Sequence, residues 1–257
     1  MFSIYTSAFN LESSGLDWKE AIDNFAQFAD QVVVCVNEDK ENSFGLVFDF
    51  LKKNKYKNVY VCLSDYSFDD PLFDGKIKNN ALQNCTEEFS ISLDLDERLP
   101  IYTKSAWLEL AEELKHSEYV AALIPSVNLC GSNYTYKDVG WKWYLHKTIG
   151  YHRGVVNFAK QDGEKIDINK SDTCELIDDN GNLVKSLQLQ NDVNIINNHE
   201  LPFVYHLWAV DFDQRIRQNK IWKPVWELRA GREVTNIITE REELEKIPVF
   251  CHNLPLW

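Results

Sequence analysis

The chain predicts an α/β fold, a mostly parallel sheet covered on both faces by helices. Strand and helix patterns alternate over residues 2–93, the stretch Gln31–Val36 is β-branched and almost wholly apolar, and the strands of this half end on polar or acidic residues. A strand buried on both faces loses the polar alternation of an exposed sheet. A repeated β-α-β order favours parallel pairing through crossover helices.

Phe2–Ser7 reads as the first strand, ending near Asn10. Asp17–Ala29 places Trp18, Ala21, Ile22, Phe25 and Phe28 at helical spacing, and Phe44–Asn54 does the same with Leu46, Val47, Phe50 and Leu51. Asn58–Leu63 is a third strand, Ile77–Cys85 a helix and Glu88–Leu93 a fourth strand. Beyond Pro100 a helix is expected at Ser105–Lys115 and an apolar strand at Tyr119–Val127. Asn128–Lys160 is aromatic and basic with little periodicity. Glu175–Gln188 reads as a hairpin turning on Asp178-Asp179-Asn180-Gly181, Leu201–Val210 as a strand, and Thr239–Lys246 as a charged helix.

The 257 residues suffice for one substantial core, or a core with a subdomain. A formal charge of −13 argues against a nucleic-acid binder, whose affinity comes largely from Lys and Arg neutralising phosphates. Local basic groups, Lys76 with Lys78 and Lys142 to Arg153, suit a small anionic ligand. Six scattered cysteines without a Cys-x-x-Cys pair predict reduced core thiols. The N-terminus runs directly into a strand and no apolar run is long enough to span a bilayer, so the expected location is cytoplasmic.

In an open parallel sheet, ligands bind beyond the carboxyl ends of the strands. Those ends carry Ser7 to Asn10, Asn37 to Asp39, Ser64 with Asp65, and Asp94 with Asp96. The segment Phe89–Pro100 is an apolar strand running into two acids. Strand alternation puts Ser92, Asp94 and Asp96 on the face opposite Ile91, Leu93 and Leu95. Two carboxylates converging from so short a stretch suit a hard divalent cation that holds a diphosphate.

The run Lys78-Asn79-Asn80-Ala81-Leu82-Gln83-Asn84-Cys85-Thr86-Glu87-Glu88-Phe89-Ser90-Ile91-Ser92-Leu93-Asp94-Leu95-Asp96 resembles the signature of family 2-type glycosyltransferases of the GT-A fold. There a basic residue and Asn open a helix, small residues follow, and a Glu-aromatic pair leads into a strand ending in Asp-x-Asp. Ser3–Asn10 looks like the first strand and nucleotide loop, and Val34-Cys35-Val36-Asn37-Glu38 like the second strand with its base-contacting acid. The resemblance covers residues 2–100. It departs where the family's Pro-Thr is Ser7-Ala8, its Asp-Asp-Gly is Asn37-Glu38-Asp39, and a Gly is Glu87. Those departures leave the nucleotide open.

The resemblance implies a GT-A sheet with an α+β acceptor-side region, residues 1–100 forming the nucleotide-sugar-binding half and 101–257 the acceptor half of one compact body. It implies transfer of a sugar from a nucleotide-sugar to a saccharide or other hydroxyl acceptor, with Mn²⁺ or Mg²⁺ as cofactor. Donor contacts fall to Ser7, Ala8, Phe9, Asn37, Glu38, Lys78 and Asp94, and metal ligation to Asp94 and Asp96. Asp94 is expected to face ribose or metal, and Asp96 to ligate the metal directly.

The resemblance offers His206, after the apolar strand Leu201–Tyr205, as a third metal ligand of the kind many such enzymes draw from a late segment, with a hydrogen-bonded core histidine as the plainer reading. Glu97 is expected to face solvent or to cap the next turn. A catalytic base is not identified; Asp138, set among Tyr134, Tyr136, Trp141 and Trp143, and Asp211 and Asp213 are the candidates by neighbourhood. Lys147, His152 and Arg153 are candidate phosphate or acceptor contacts, with a basic surface helix as the plainer reading. A binding module without turnover is the non-enzymatic alternative. A sugar-1-phosphate nucleotidyltransferase would want a Gly-rich basic loop after the first strand, and Ser7-Ala8-Phe9-Asn10-Leu11-Glu12 is not one.

Overall fold

In the computed structural model, residues 2–68, 70, 73–148, 151–153, 176–178, 184–189, 201–230 and 237–251 are described. The first half follows the alternating pattern: β1 (Phe2–Ala8), α1 (Trp18–Phe28), β2 (Gln31–Asn37), α2 (Ser43–Asn54), β3 (Val59–Ser64), α3 (Phe73–Gln83) and β4 (Phe89–Ser92). A two-residue strand β5 (Glu97–Arg98), a 3-10 turn at Ile101–Thr103 and α4 (Lys104–His116) lead into the second half. There β6 (Ala121–Cys130), β7 (Thr135–Lys147), β8 (Tyr151–Arg153), β9 (Leu176–Asp178), β10 (Ser186–Gln188) and β11 (Val204–Ala209) precede α5 (Phe212–Ala230), α6 (Arg241–Leu244) and β12 (Phe250–Cys251).

The main sheet runs in the order β3-β2-β1-β4-β7-β6-β11-β5. β1 to β4 pair in parallel, as the sequence predicts. β7 is antiparallel to both β4 and β6, so two reversals restore the direction in β6, and β11 continues parallel to it. The carboxyl ends of β1, β2, β3, β4, β6 and β11 therefore lie along one edge of a mixed sheet.

Both faces are covered. Ile4, Val32, Val34 and Val36 point into one core with Trp18, Phe25, Phe28 of α1 and Trp107, Leu110, Leu114 of α4. Their neighbours Tyr5, Val33 and Cys35 point the other way, onto Phe73, Ile77 and Ala81 of α3. This period-two split of one continuous apolar run is what a doubly covered strand requires.

Several expectations are corrected. β7 and α5 fall where no periodicity is legible. The expected hairpin does not form between its two arms, since β9 pairs with β8 and β10 with β6; its turn residues 179–183 lie outside the described residues. β6 offers β10 a free edge before β11 takes over that edge further along. Cys35, Cys62, Cys85 and Cys130 are free thiols, and burial pushes the Cys85 thiol up to about 11.

Trp107 is fully buried, packs edge-on against Phe28 at 5.8 Å, and its indole N–H meets no acceptor among the described residues. Trp107→Ala should lower stability by about 3–5 kcal/mol by opening a cavity. Trp107→Phe should cost markedly less, because it also removes a buried donor whose unmet hydrogen bond costs about 1–3 kcal/mol. Urea unfolding of the two variants reads the contrast as a shift in midpoint at constant slope.

Candidate active site

The loop after β4 is fixed from inside. The Arg98 side chain is fully buried and its Nη1 donates to the carbonyls of Leu95 at 3.0 Å and Glu97 at 2.8 Å. Its Nη2 donates to the Asp17 carbonyl at 2.9 Å and meets Glu20 Oε2 at 3.3 Å. Burial pulls the guanidinium pKa down, against the opposing charge of Glu20. Asn24 of α1 clamps Leu99 by both backbone groups, at 2.8 and 2.9 Å. Glu97, expected to face solvent or to cap the next turn, is buried and caps the preceding turn instead: its Oε2 accepts from the Asp94 amide at 2.8 Å and tightens the Asp94–Glu97 turn. A buried carboxylate is tolerable there because a backbone donor satisfies it.

The two acids of Asp94-Leu95-Asp96 face different partners. Asp94 Oδ1 lies 2.6 Å from Lys78 Nζ, which rises from α3. Asp96 Oδ2 lies 3.5 Å from His206 Nε2, with side-chain exposures of 16% and 13%. β5 pairs antiparallel with β11, setting His206 opposite Glu97, and the Leu207 amide donates to the Asp96 carbonyl at 2.7 Å. Sequence-distant Asp96 and His206 thus become neighbours through a sheet register, and a carboxylate oxygen with an imidazole nitrogen is a donor pair that suits Mn²⁺. No cluster of three or more His, Cys, Asp or Glu able to hold a metal exists among the described residues. With only two such side chains together among the described residues, a cation held here would need further ligands from substrate oxygens and water, unlike a closed structural site.

The other predicted donor residues line the same edge. Ser7 and Ala8 end β1, and the Phe9 ring packs edge-on against Trp222 of α5 and Phe73, and tilted against Phe68, at 5.1–5.4 Å. Asn37 makes all its amide bonds within the protein: Nδ2 to the carbonyls of Glu38 and Tyr66, Oδ1 from Ser64 and the Tyr66 amide. It organises the loop, while Glu38 beside it is exposed.

Of the base candidates, Asp211 caps α5, accepting from the amides of Asp213 and Gln214 at 2.9 and 3.1 Å, and Asp213 pairs with Arg241 at 3.1 Å. Asp138 is exposed on β7 and hydrogen-bonds Asn128. The side chains of Trp141, Trp143, His152 and Arg153 lie outside the described residues, while Lys147 sits on β7 rather than on a surface helix. Sequence reading missed Asn128 and Arg98; an Arg set directly after the acidic run Asp94–Glu97 was the available signal for the second.

Asp39 reads in the sequence only as part of the polar end of β2, where its loop-joining role is not visible. It joins the loops after β1 and β2: Oδ2 accepts from the Asn10 amide at 2.7 Å, and Oδ1 from the amides of Glu41 and Ser43 at 3.0 Å. Burial alone would push its carboxyl up, but the Ser43 hydroxyl and the three amides outweigh it and hold its pKa below the usual value.

No protein-family model matches the chain, and no curated protein matches it by sequence. By structure it is similar to glycosyltransferases. A UDP-GlcNAc complex of S. aureus TarS aligns over 51% of this chain and 36% of that one, at 21% identity and a TM-score of 0.39. The UDP complex of TarS aligns over 96% and 69%, at 14% identity and 0.44. The mannosyltransferase PcManGT of Pyrobaculum calidifontis, in complex with GDP-Man and Mn²⁺, aligns over 89% and 68%, at 10% identity and 0.47. The chain thus spans about a third of the first of these structures and about two thirds of the others.

Because Asp39 is more acidic folded than unfolded, its contribution is present above the ordinary carboxylate range and is lost as pH falls through the folded pKa. Asp39→Ala should cost about 1–3 kcal/mol at neutral pH. The difference from the parent protein, followed by urea midpoints, should shrink progressively below about pH 4.

Proposed function

We propose that the chain is a metal-dependent glycosyltransferase of the GT-A type that moves a sugar from a nucleotide-sugar to a hydroxyl acceptor. The observation that carries this reading is the meeting of Asp96 and His206 at 3.5 Å, beside the Lys78–Asp94 pair. Asp94 and Asp96 follow the carboxyl end of β4, at the edge where open α/β sheets bind ligands, and Lys78 of α3 and His206 of β11 reach them there.

Asp96 and His206 would hold Mn²⁺ or Mg²⁺, which when bound neutralises charge developing on a departing diphosphate. Lys78 supplies a further positive charge to the same oxygens and, paired with Asp94, is held in place before the donor arrives. Asp94, once a phosphate draws Lys78 away, would accept from a ribose hydroxyl or help to hold the cation. Ser7, Ala8 and Phe9 bound the nucleoside side, with the exposed Glu38 as a hydrogen-bond acceptor for base or ribose. The Arg98 and Asn24 clamps hold the acidic turn in one conformation, so little reorganisation is needed on binding.

Incubation with a panel of nucleotide-sugars and Mn²⁺ should release nucleoside diphosphate, and EDTA should abolish the release reversibly. Asp96→Ala should lower turnover a hundredfold or more, since metal-borne charge stabilisation is worth several kcal/mol. Metal-dependent nucleotide binding with no turnover over a broad acceptor panel would instead make the chain a binding module. Failure of UDP, GDP, CDP and dTDP to bind with Mn²⁺ would sink the donor site altogether.

A further inference from the structure

Four adjacent strands carry a polar row across the sheet. The register sets Asp138 of β7 opposite Asn128 of β6, Asn128 opposite His206 of β11, and His206 opposite Glu97 of β5. Directly paired residues share a face, so their side chains can meet. Asn128 Nδ2 donates to Asp138 Oδ1 at 2.5 Å, and Asn128 Oδ1 lies 2.7 Å from His206 Nδ1.

The row has only one consistent polarity. A carboxylate only accepts, and a primary amide donates from nitrogen and accepts at oxygen. Asn128 must turn its NH₂ to Asp138, which leaves its oxygen to His206. That oxygen cannot donate, so Nδ1 of His206 carries a proton. In the neutral ring Nε2 is then the bare nitrogen, and Nε2 is the atom that faces Asp96 Oδ2. In that neutral form two acceptors face each other in a largely buried place and repel; a second ring proton would join them as an ion pair, and a shared divalent cation would join them as two ligands.

The surrounding backbone makes room for this arrangement. A Cβ at Gly140 would come within 3.3 Å of Asn128 Nδ2, so the glycine leaves space for the amide. The β6–β7 register shifts between Asn128 and Leu129, and the β6–β11 register between His206 and Ala209. Such irregularities re-aim side chains next to functional sites.

We propose that Asn128 is a positioning residue of the donor site: held in one amide orientation by Asp138, it fixes His206 as the Nδ1–H tautomer and directs the Nε2 lone pair at a divalent cation shared with Asp96. The proposal rests on the metal-dependent reading above. It gives Asp138, whose Oδ2 lies 3.3 Å from Lys137 Nζ, an orienting role in place of that of a base.

The test follows the tautomer by nitrogen NMR of ¹⁵N-histidine-labelled, metal-free protein above the imidazole titration, and Mn²⁺ binding by EPR with a nucleoside diphosphate present. The parent protein should show His206 protonated at Nδ1. Asn128→Ala should move the proton to Nε2 and weaken Mn²⁺ binding about 10–100-fold, the usual loss when a partner of a metal ligand is removed. Exchanging the two groups, Asn128→Asp with Asp138→Asn, keeps an acceptor on Nδ1 and should restore both readouts; this variant decides the matter should Asn128→Ala not fold. An Nε2–H tautomer in the parent protein, unchanged Mn²⁺ affinity in Asn128→Ala, or no recovery in the exchanged variant overturns the proposal. If the parent protein binds no Mn²⁺ with any nucleoside diphosphate, the donor-site reading fails and the proposal with it. An Nδ1–H imidazole would then show that the row is right and the cation wrong.

Discussion

The pairing of β5 with β11 is the constraint on which the candidate site depends. Only Glu97 and Arg98 form β5, and so short a strand has almost no stability of its own. It is held because Arg98, in the core, satisfies the carbonyls of Leu95, Glu97 and Asp17 at once, while Asn24 closes both backbone groups of Leu99. Removing a buried guanidinium would leave those carbonyls without partners, a larger penalty than the net worth of the bonds themselves. The energy spent on burying a charge is thus returned as position. Asp96 and His206, 110 residues apart by number (206 − 96), face one another because this turn cannot relax away from β11.

The first half of the fold is legible in the sequence because its strands and helices each obey one period. Gln31–Val36 reads as buried on both faces, and α1 announces itself by Trp18, Ile22 and Phe25 on one side. α5 is different: its apolar residues Phe212, Ile216, Ile221 and Trp222 do not make a single stripe, and Pro224 interrupts it. Its cap, Asp211 with an acid at Asp213 in the first turn, was the one available signal. β7 sits between β4 and β6 in the middle of the sheet, so its Tyr, Val and Trp content was a better guide than alternation. The acidic turn was readable as a local pattern. Its partners were not, since Asn128 and His206 meet through the register of β6 and β11, and register is a property of pairing rather than of either segment.

Overall charge gives the site its logic. A chain with a net charge of −13 repels a nucleotide-sugar diphosphate at long range, and an acidic turn makes the local field worse. Salt confines that repulsion to about 8–10 Å, so groups within the cleft decide binding. There the two acids of the turn are unequal. Asp94 is neutralised by Lys78, whereas Asp96 faces an imidazole. A divalent cation at Asp96 would reverse the local sign, and a diphosphate drawn to it would compete with Asp94 for Lys78. Under the proposed reading, cation and donor therefore bind with positive coupling, each improving the other's affinity by the same factor. On that reading the acidic surface would become part of specificity, disfavouring anions that bring no metal and admitting the one that does.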